Sequence, residues 1–66
     1  MNIHINGESR QIQQATTVSA LLEELGLAEK RVAVERNGEL VPRSRHADQA
    51  IEDGDQIEIV QAIGGG

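Results

Sequence analysis

Two Asn-Gly pairs, Asn6-Gly7 and Asn37-Gly38, each sit between runs that alternate apolar with polar residues, and they set the plan of this chain. Asparagine and glycine both tolerate positive φ, which a two-residue turn matched to strand twist demands, so Asn-Gly in this context marks a hairpin. Ahead of the first pair, Ile3 and Ile5 alternate with Asn2, His4 and Asn6, the period of a half-buried strand. Behind it, Ser9 to Gln14 is expected to return as a polar edge strand with Ile12 turned inward. Between the two hairpins the period changes. Val18, Leu21, Leu22 and Leu25 fall at i, i+3, i+4 and i+7 and so share one side of a helix. Thr17 is placed to cap its N-terminus through its hydroxyl, Glu23 and Glu24 lie on the solvent side, Gly26 closes it in a left-handed conformation, and Leu27 packs back beneath it.

The second half repeats the strand logic. Arg31 to Arg36 carries Val32 and Val34 in alternation, Asn37-Gly38 turns, and Glu39, Leu40 and Val41 return until Pro42, which has no N–H for the ladder, stops the pairing. Ser44 to Ala50 is polar and reads as a helical turn with Ile51 tucked inward. Asp53-Gly54-Asp55 is the turn that launches a last strand, Gln56 to Ile63. The order strand, strand, helix, strand, strand, strand argues for an α+β domain: a mixed sheet of four to five strands covered on one face by the helix. The helix crossover lets a later strand lie parallel to the first, which is the β-grasp arrangement. Residues 1–63 form this domain and 64–66 a flexible glycine tail.

A chain of 66 residues without Phe, Tyr, Trp or Cys must build its core from Ile, Val and Leu. Each such side chain contributes about 1.5–3 kcal/mol when fully buried, and a domain this small encloses no large active site. The eleven acidic and six basic residues leave a net charge of −5. That charge repels phosphate backbones, and with no aromatic ring for base stacking it argues against nucleic acid and for a basic protein partner. The N-terminus lacks the cationic start and apolar run of a secretory signal, and no segment approaches the length of a membrane span. A soluble, cytoplasmic protein, monomeric when free, is expected.

Catalytic constellations are weak. Glu23 and Glu24 adjoin on a helix and cannot face each other across a substrate. Ser9, Ser19 and Ser44 have no glycine-flanked elbow or matched base. Asp48, Glu52, Asp53 and Asp55 lack the twelve-residue pattern of a calcium loop, and the Asp-Gly signal makes a plain turn the reading. His4 and His46 are read as solvated surface histidines, with no metal site. Arg36, Arg43 and Arg45 form a modest basic patch, paired with neighbouring carboxylates.

The C-terminus is different. Glycines lack Cβ atoms, so Gly64-Gly65-Gly66 can pass through a channel too narrow for side chains, and three extended residues reach about 10 Å. A terminal carboxyl with a reference pKa of about 3.3–3.7 is an anion at neutral pH and a poor acyl electrophile. Attack on the α-phosphate of ATP would make it an acyl-adenylate with AMP as leaving group, open to a sulfur nucleophile. With no cysteine in the chain, sulfur carried covalently could not ride on a thiol side chain, which leaves the terminus. Beside it, Ile57 and Ile59 alternate toward the core, so Glu58, Val60 and Ala62 face outward and, with Ile63 near the tail, offer a partner-binding surface.

Val34-Glu35-Arg36-Asn37-Gly38, Leu40-Val41-Pro42-Arg43, and Asp53 through Val60 followed by Gly64-Gly65-Gly66 together resemble the ThiS family, ubiquitin-like sulfur carriers of thiamine biosynthesis. The likeness runs over essentially the whole chain. It implies that a ThiF-type enzyme adenylates Gly66 with Mg·ATP, that a cysteine desulfurase supplies persulfide sulfur, and that the Gly66 thiocarboxylate donates sulfur to the thiazole synthase ThiG. Gly64 and Gly65 then serve as the threading segment. No cofactor is bound by the chain itself and no catalytic residue is implied. The alternatives are a molybdopterin synthase small subunit, whose bulkier stretch before the glycines is missing from Val60-Gln61-Ala62-Ile63, a ubiquitin-like modifier forming isopeptide bonds through Gly66, and a plain β-grasp interaction module.

Overall fold

The computed structural model describes residues 1–13 and 16–61. Strand β1 (Asn2–Ile5) turns through Asn6 and Gly7, at φ of 52° and 85°, into β2 (Glu8–Gln11). The polar return is a strand only as far as Gln11, short of the span expected to Gln14, itself outside the described residues, yet Ile12 still donates its N–H to the Met1 carbonyl and is buried. Its carbonyl in turn accepts from the Met1 ammonium at 2.6 Å. One residue just past a strand whose own members are all exposed thus ties the edge to the core.

Helix α1 (Val18–Glu24) begins where Thr17 Oγ1 accepts from the Ala20 N–H at 3.2 Å. Its other early amides are satisfied from the later loop: Val18 N–H donates to Gln49 and Ser19 N–H to His46. The helix ends as read, with Gly26 at φ 76° and Leu27 N–H donating to the Leu22 carbonyl at 2.7 Å. Leu25 and Leu27 pack half-buried against the core.

Strand β3 (Val32–Arg36) turns through Asn37-Gly38 into β4 (Glu39–Val41). After Pro42 a single 3-10 turn, Arg43–Arg45, replaces the longer turn expected over 44–50. It carries His46 inward, and this corrects the reading of that histidine as a surface residue. The ring is buried, with Nε2 donating to the Val41 carbonyl at 3.1 Å, because the polypeptide doubles back beneath the start of α1. His4 is exposed as expected.

The last strand, β5 (Gln56–Gln61), lies in the middle of a five-stranded sheet of order β2-β1-β5-β3-β4. It runs parallel to β1, with Ile5 opposite Ile57, and antiparallel to β3, with Val34 opposite Ile59. One helix and five strands in this order are the β-grasp plan. Ile3, Val18, Leu21, Val34, Ile51 and Ile57 are fully buried between sheet and helix. Every buried position of these strands is Ile or Val, as a core without aromatic residues requires.

Candidate functional site

The C-terminal residues follow the central strand, so the face that strand turns to solvent determines what accompanies them. Ile57 is buried and Ile59 half-buried, while Glu58 and Val60 point outward, Val60 with 62% of its surface exposed. These two predicted partner-binding residues are where the alternation places them. Ala62, Ile63, Gly64, Gly65 and Gly66 lie outside the described residues.

Register extends the outward face beyond β5. Val60 lies opposite Ala33, Glu58 opposite Glu35, and Glu35 opposite Leu40. Because directly opposed residues share a face, Leu40, Glu35 and Glu58 form one row across three strands, with Ala33 and Val60 in the next. Leu40 is 64% exposed. Leu40 is not among the partner-binding residues expected from the sequence, although a two-residue turn at Asn37-Gly38 fixes the pairing 36 to 39, 35 to 40 and 34 to 41. That register, with Val41 inward, turns Leu40 outward. The face therefore combines two exposed aliphatic side chains with two carboxylates directly opposite each other. Like charges so placed oppose the sheet they sit on, and a cation brought by a partner would relieve them.

Beneath the start of β5, Asp55 gathers both turns around it. Its Oδ2 accepts from Arg36 Nε at 2.6 Å and from the Glu52 N–H at 2.8 Å; its Oδ1 accepts from Asn37 Nδ2 at 3.0 Å and Arg36 Nη2 at 3.3 Å. Arg36 Nη2 also stands 3.9 Å from Glu52. Burial alone would push the Asp55 carboxyl up, but the hydrogen bonds from Arg36, Glu52 and Asn37 outweigh it and hold the group below its ordinary value. The guanidinium of Arg36 is raised in turn, chiefly by its hydrogen bond to Asp55. The acidic turn is thus a structural clamp. Asn2 N–H donates to Asp53 Oδ1 at 2.6 Å and Gly54 N–H to the Asn2 carbonyl, which stitch the same turn to β1.

Among the described residues no group of three or more His, Asp or Glu side chains is placed to hold a metal ion, and no helix is long and apolar enough to cross a membrane. The described residues present an exposed surface beside β5.

The family model for ThiS matches residues 3–66, nearly the whole chain. The chain belongs to the ThiS family. It is 38% identical to the sulfur carrier protein ThiS of Escherichia coli, covering 100% of both chains. That relative is by name a carrier rather than an enzyme. A thiazole synthase of Paramagnetospirillum magneticum is 54% identical over 66 residues; the match takes in 100% of this chain and 20% of that protein, so the chain spans about a fifth of that relative's length. The crystal structure of the thiamine biosynthesis protein ThiS from Geobacter metallireducens superimposes with a TM-score of 0.87 at 33% identity, covering 100% of both chains. The β-grasp fold read from the element order is the fold of this family member.

Proposed function

We propose that this chain is a sulfur carrier of thiamine biosynthesis, that the Gly66 carboxylate is its reacting group, and that the outer face around Leu40, Glu58 and Val60 docks the enzymes that act on it. The observation that carries this reading is the end-to-end match, terminal glycines included, to a sulfur carrier of the same length. The exposed aliphatic and acidic face beside the last strand supports the docking surface. The thiazole synthase relative favours delivery of sulfur to a thiazole synthase of the ThiG type over the molybdopterin alternative.

In the chemistry proposed, a carboxylate oxygen of Gly66 attacks the α-phosphorus of Mg·ATP bound by a ThiF-type enzyme, and pyrophosphate leaves. The terminal sulfur of a persulfide, supplied through a cysteine desulfurase, attacks the activated carbonyl carbon and AMP leaves, giving an acyl disulfide. A thiol then attacks the disulfide at the donor's sulfur, forming a new disulfide there and releasing the thiocarboxylate on Gly66. Every catalytic group in this cycle belongs to the partners. This chain supplies the acyl group, the glycines that let it thread, and the face that holds it in place.

The test is to incubate the protein with an adenylating enzyme of this type, Mg·ATP and a persulfide source and follow its intact mass. Exchange of one oxygen for sulfur supports the reading. Conjugates of higher mass would replace it with the modifier reading, and an unchanged mass beside an enzyme active on its own carrier would refute both.

A further inference from the structure

Asn6 stands at the turn between β1 and β2 with φ 52°, a conformation glycine adopts at least as readily. Conformation alone therefore gives no reason for asparagine. The side chain does. Its Oδ1 accepts from the Ile59 N–H at 2.8 Å and its Nδ2 donates to the Ile59 carbonyl at 3.1 Å, while the Asn6 backbone N–H donates to the Ile57 carbonyl at 2.9 Å. The amide thus stands in for the β1 residue that is missing once the chain has turned away, and it extends the parallel pairing with β5 by one step. Strand β1 stops at Ile5, opposite Ile57. Among the described residues, Ile59 is the last of β5 to be bonded from this side. Beyond it, Val60 and Gln61 pair with Ala33 and Val32 of β3. A strand gripped along one edge can swing about that edge, whereas one gripped along both has a fixed direction.

We propose that Asn6 is a positioning residue for the reacting terminus: its amide grip on Ile59 fixes the direction in which the chain leaves the sheet toward Gly66. The inference rests on the carrier reading above. A carrier whose terminus is aimed correctly for only part of the time binds its adenylating enzyme productively in proportion to that fraction. Releasing the grip therefore raises KM for the carrier. It leaves kcat nearly unchanged, because a terminus already threaded is held by the enzyme.

Asn37 provides an internal control. It has φ 53°, also precedes glycine, and also uses its amide on β5, but at the opposite end, where Oδ1 accepts from the Gln56 N–H at 2.9 Å. The experiment compares Asn6→Gly with Asn37→Gly, measuring pyrophosphate release by the adenylating enzyme with Mg·ATP, thermal unfolding, and exchange of the Ile59 amide. Asn6→Asp is included as a variant that keeps the turn and the acceptor for Ile59 N–H but faces the Ile59 carbonyl with a carboxylate oxygen. The expected result is a rise in KM of about fivefold or more for both Asn6 variants, with kcat within about twofold, and Ile59 exchange about tenfold faster in Asn6→Gly. Asn37→Gly lowers the melting temperature and leaves KM within about twofold. Equal KM changes at both positions, or an unchanged KM in Asn6→Gly with its Ile59 amide deprotected, would overturn the inference alone. A wild-type chain that is never adenylated by an active enzyme would sink the carrier reading, and this inference with it.

Discussion

Asp55→Ala removes the acceptor on which the two turns flanking β5 converge, and its cost follows from the geometry. The carboxylate receives Arg36 through two contacts, the Asn37 amide and the Glu52 N–H, all between 2.6 and 3.3 Å. Hydrogen bonds to a charged group contribute about 1.5–3 kcal/mol each. They do not add, and the Arg36 side chain, 25% exposed, recovers part of its loss from water. The net is set at about 3 kcal/mol, the low end of the cost of breaking a buried ion pair. A chain of this size has about 3–10 kcal/mol of stability in total, so this one change removes a large share of it and lowers the melting temperature by about 12–24 °C. Asp55→Asn should cost nearly as much. Both carboxylate oxygens face donors, and an amide must turn its NH2 toward one set of them.

Far-UV circular dichroism is the assay, since the chain contains no aromatic residue to report by fluorescence. The pH dependence has a definite sign. Asp55 is lowered in the folded state relative to its ordinary 3.8, so its contribution is fully present above that value. As pH falls through the window between the ordinary and the folded value, the unfolded chain binds more protons and the contribution is lost. The stability gap between wild type and Asp55→Asn must therefore close on acidification. A shift below about 4 °C for Asp55→Ala, or a gap that persists unchanged through that window, would refute the reasoning.

The other predictions concern the face and the core. Val60→Asp, exposed and opposite Ala33, should change stability by no more than about 0.5 kcal/mol, and Leu40→Asp, which sets a carboxylate opposite Glu35, should lower it by about 0.2–1 kcal/mol, while both weaken binding to the adenylating enzyme about tenfold or more by calorimetry; a larger loss of stability would mean the strand faces are misassigned. Glu58→Lys should have effects of opposite sign, stabilising the isolated domain by about 0.2–1 kcal/mol because Glu35 gains an opposite charge across the strand pair, and reducing partner affinity. Ile57→Ala, at a fully buried position, should cost about 2–5 kcal/mol in urea unfolding. Deleting Gly66 should abolish adenylation and leave the thermal transition unchanged.

The fold was legible because each element announces itself locally. The Asn-Gly turns, the Val18 to Leu25 period, Thr17 and Gly26 each name a structure within a few residues of themselves. What escaped depends on residues far apart in the chain. Asp55 reads as one acid in a turn, and nothing near it reveals that Arg36 and Asn37 fold onto it. His46 sits in a polar run whose composition says surface, while its burial comes from the loop passing beneath α1. Asn6 and Asn37 were explained by φ, and that was correct but incomplete, since their amides also pair with β5 from opposite sides. Leu40 was within reach of the sequence, because the hairpin register fixes its facing.

The reacting group proposed for this chain, the Gly66 carboxylate, follows from the absence of cysteine and from the terminal glycines. The most direct test of the account is top-down mass spectrometry of the chain after reaction with the adenylating enzyme, Mg·ATP and a persulfide source. Sulfur in place of one oxygen is expected, with every fragment lacking Gly66 unchanged. Sulfur found on fragments that exclude Gly66, or none at all from an enzyme that loads its own carrier, would contradict it.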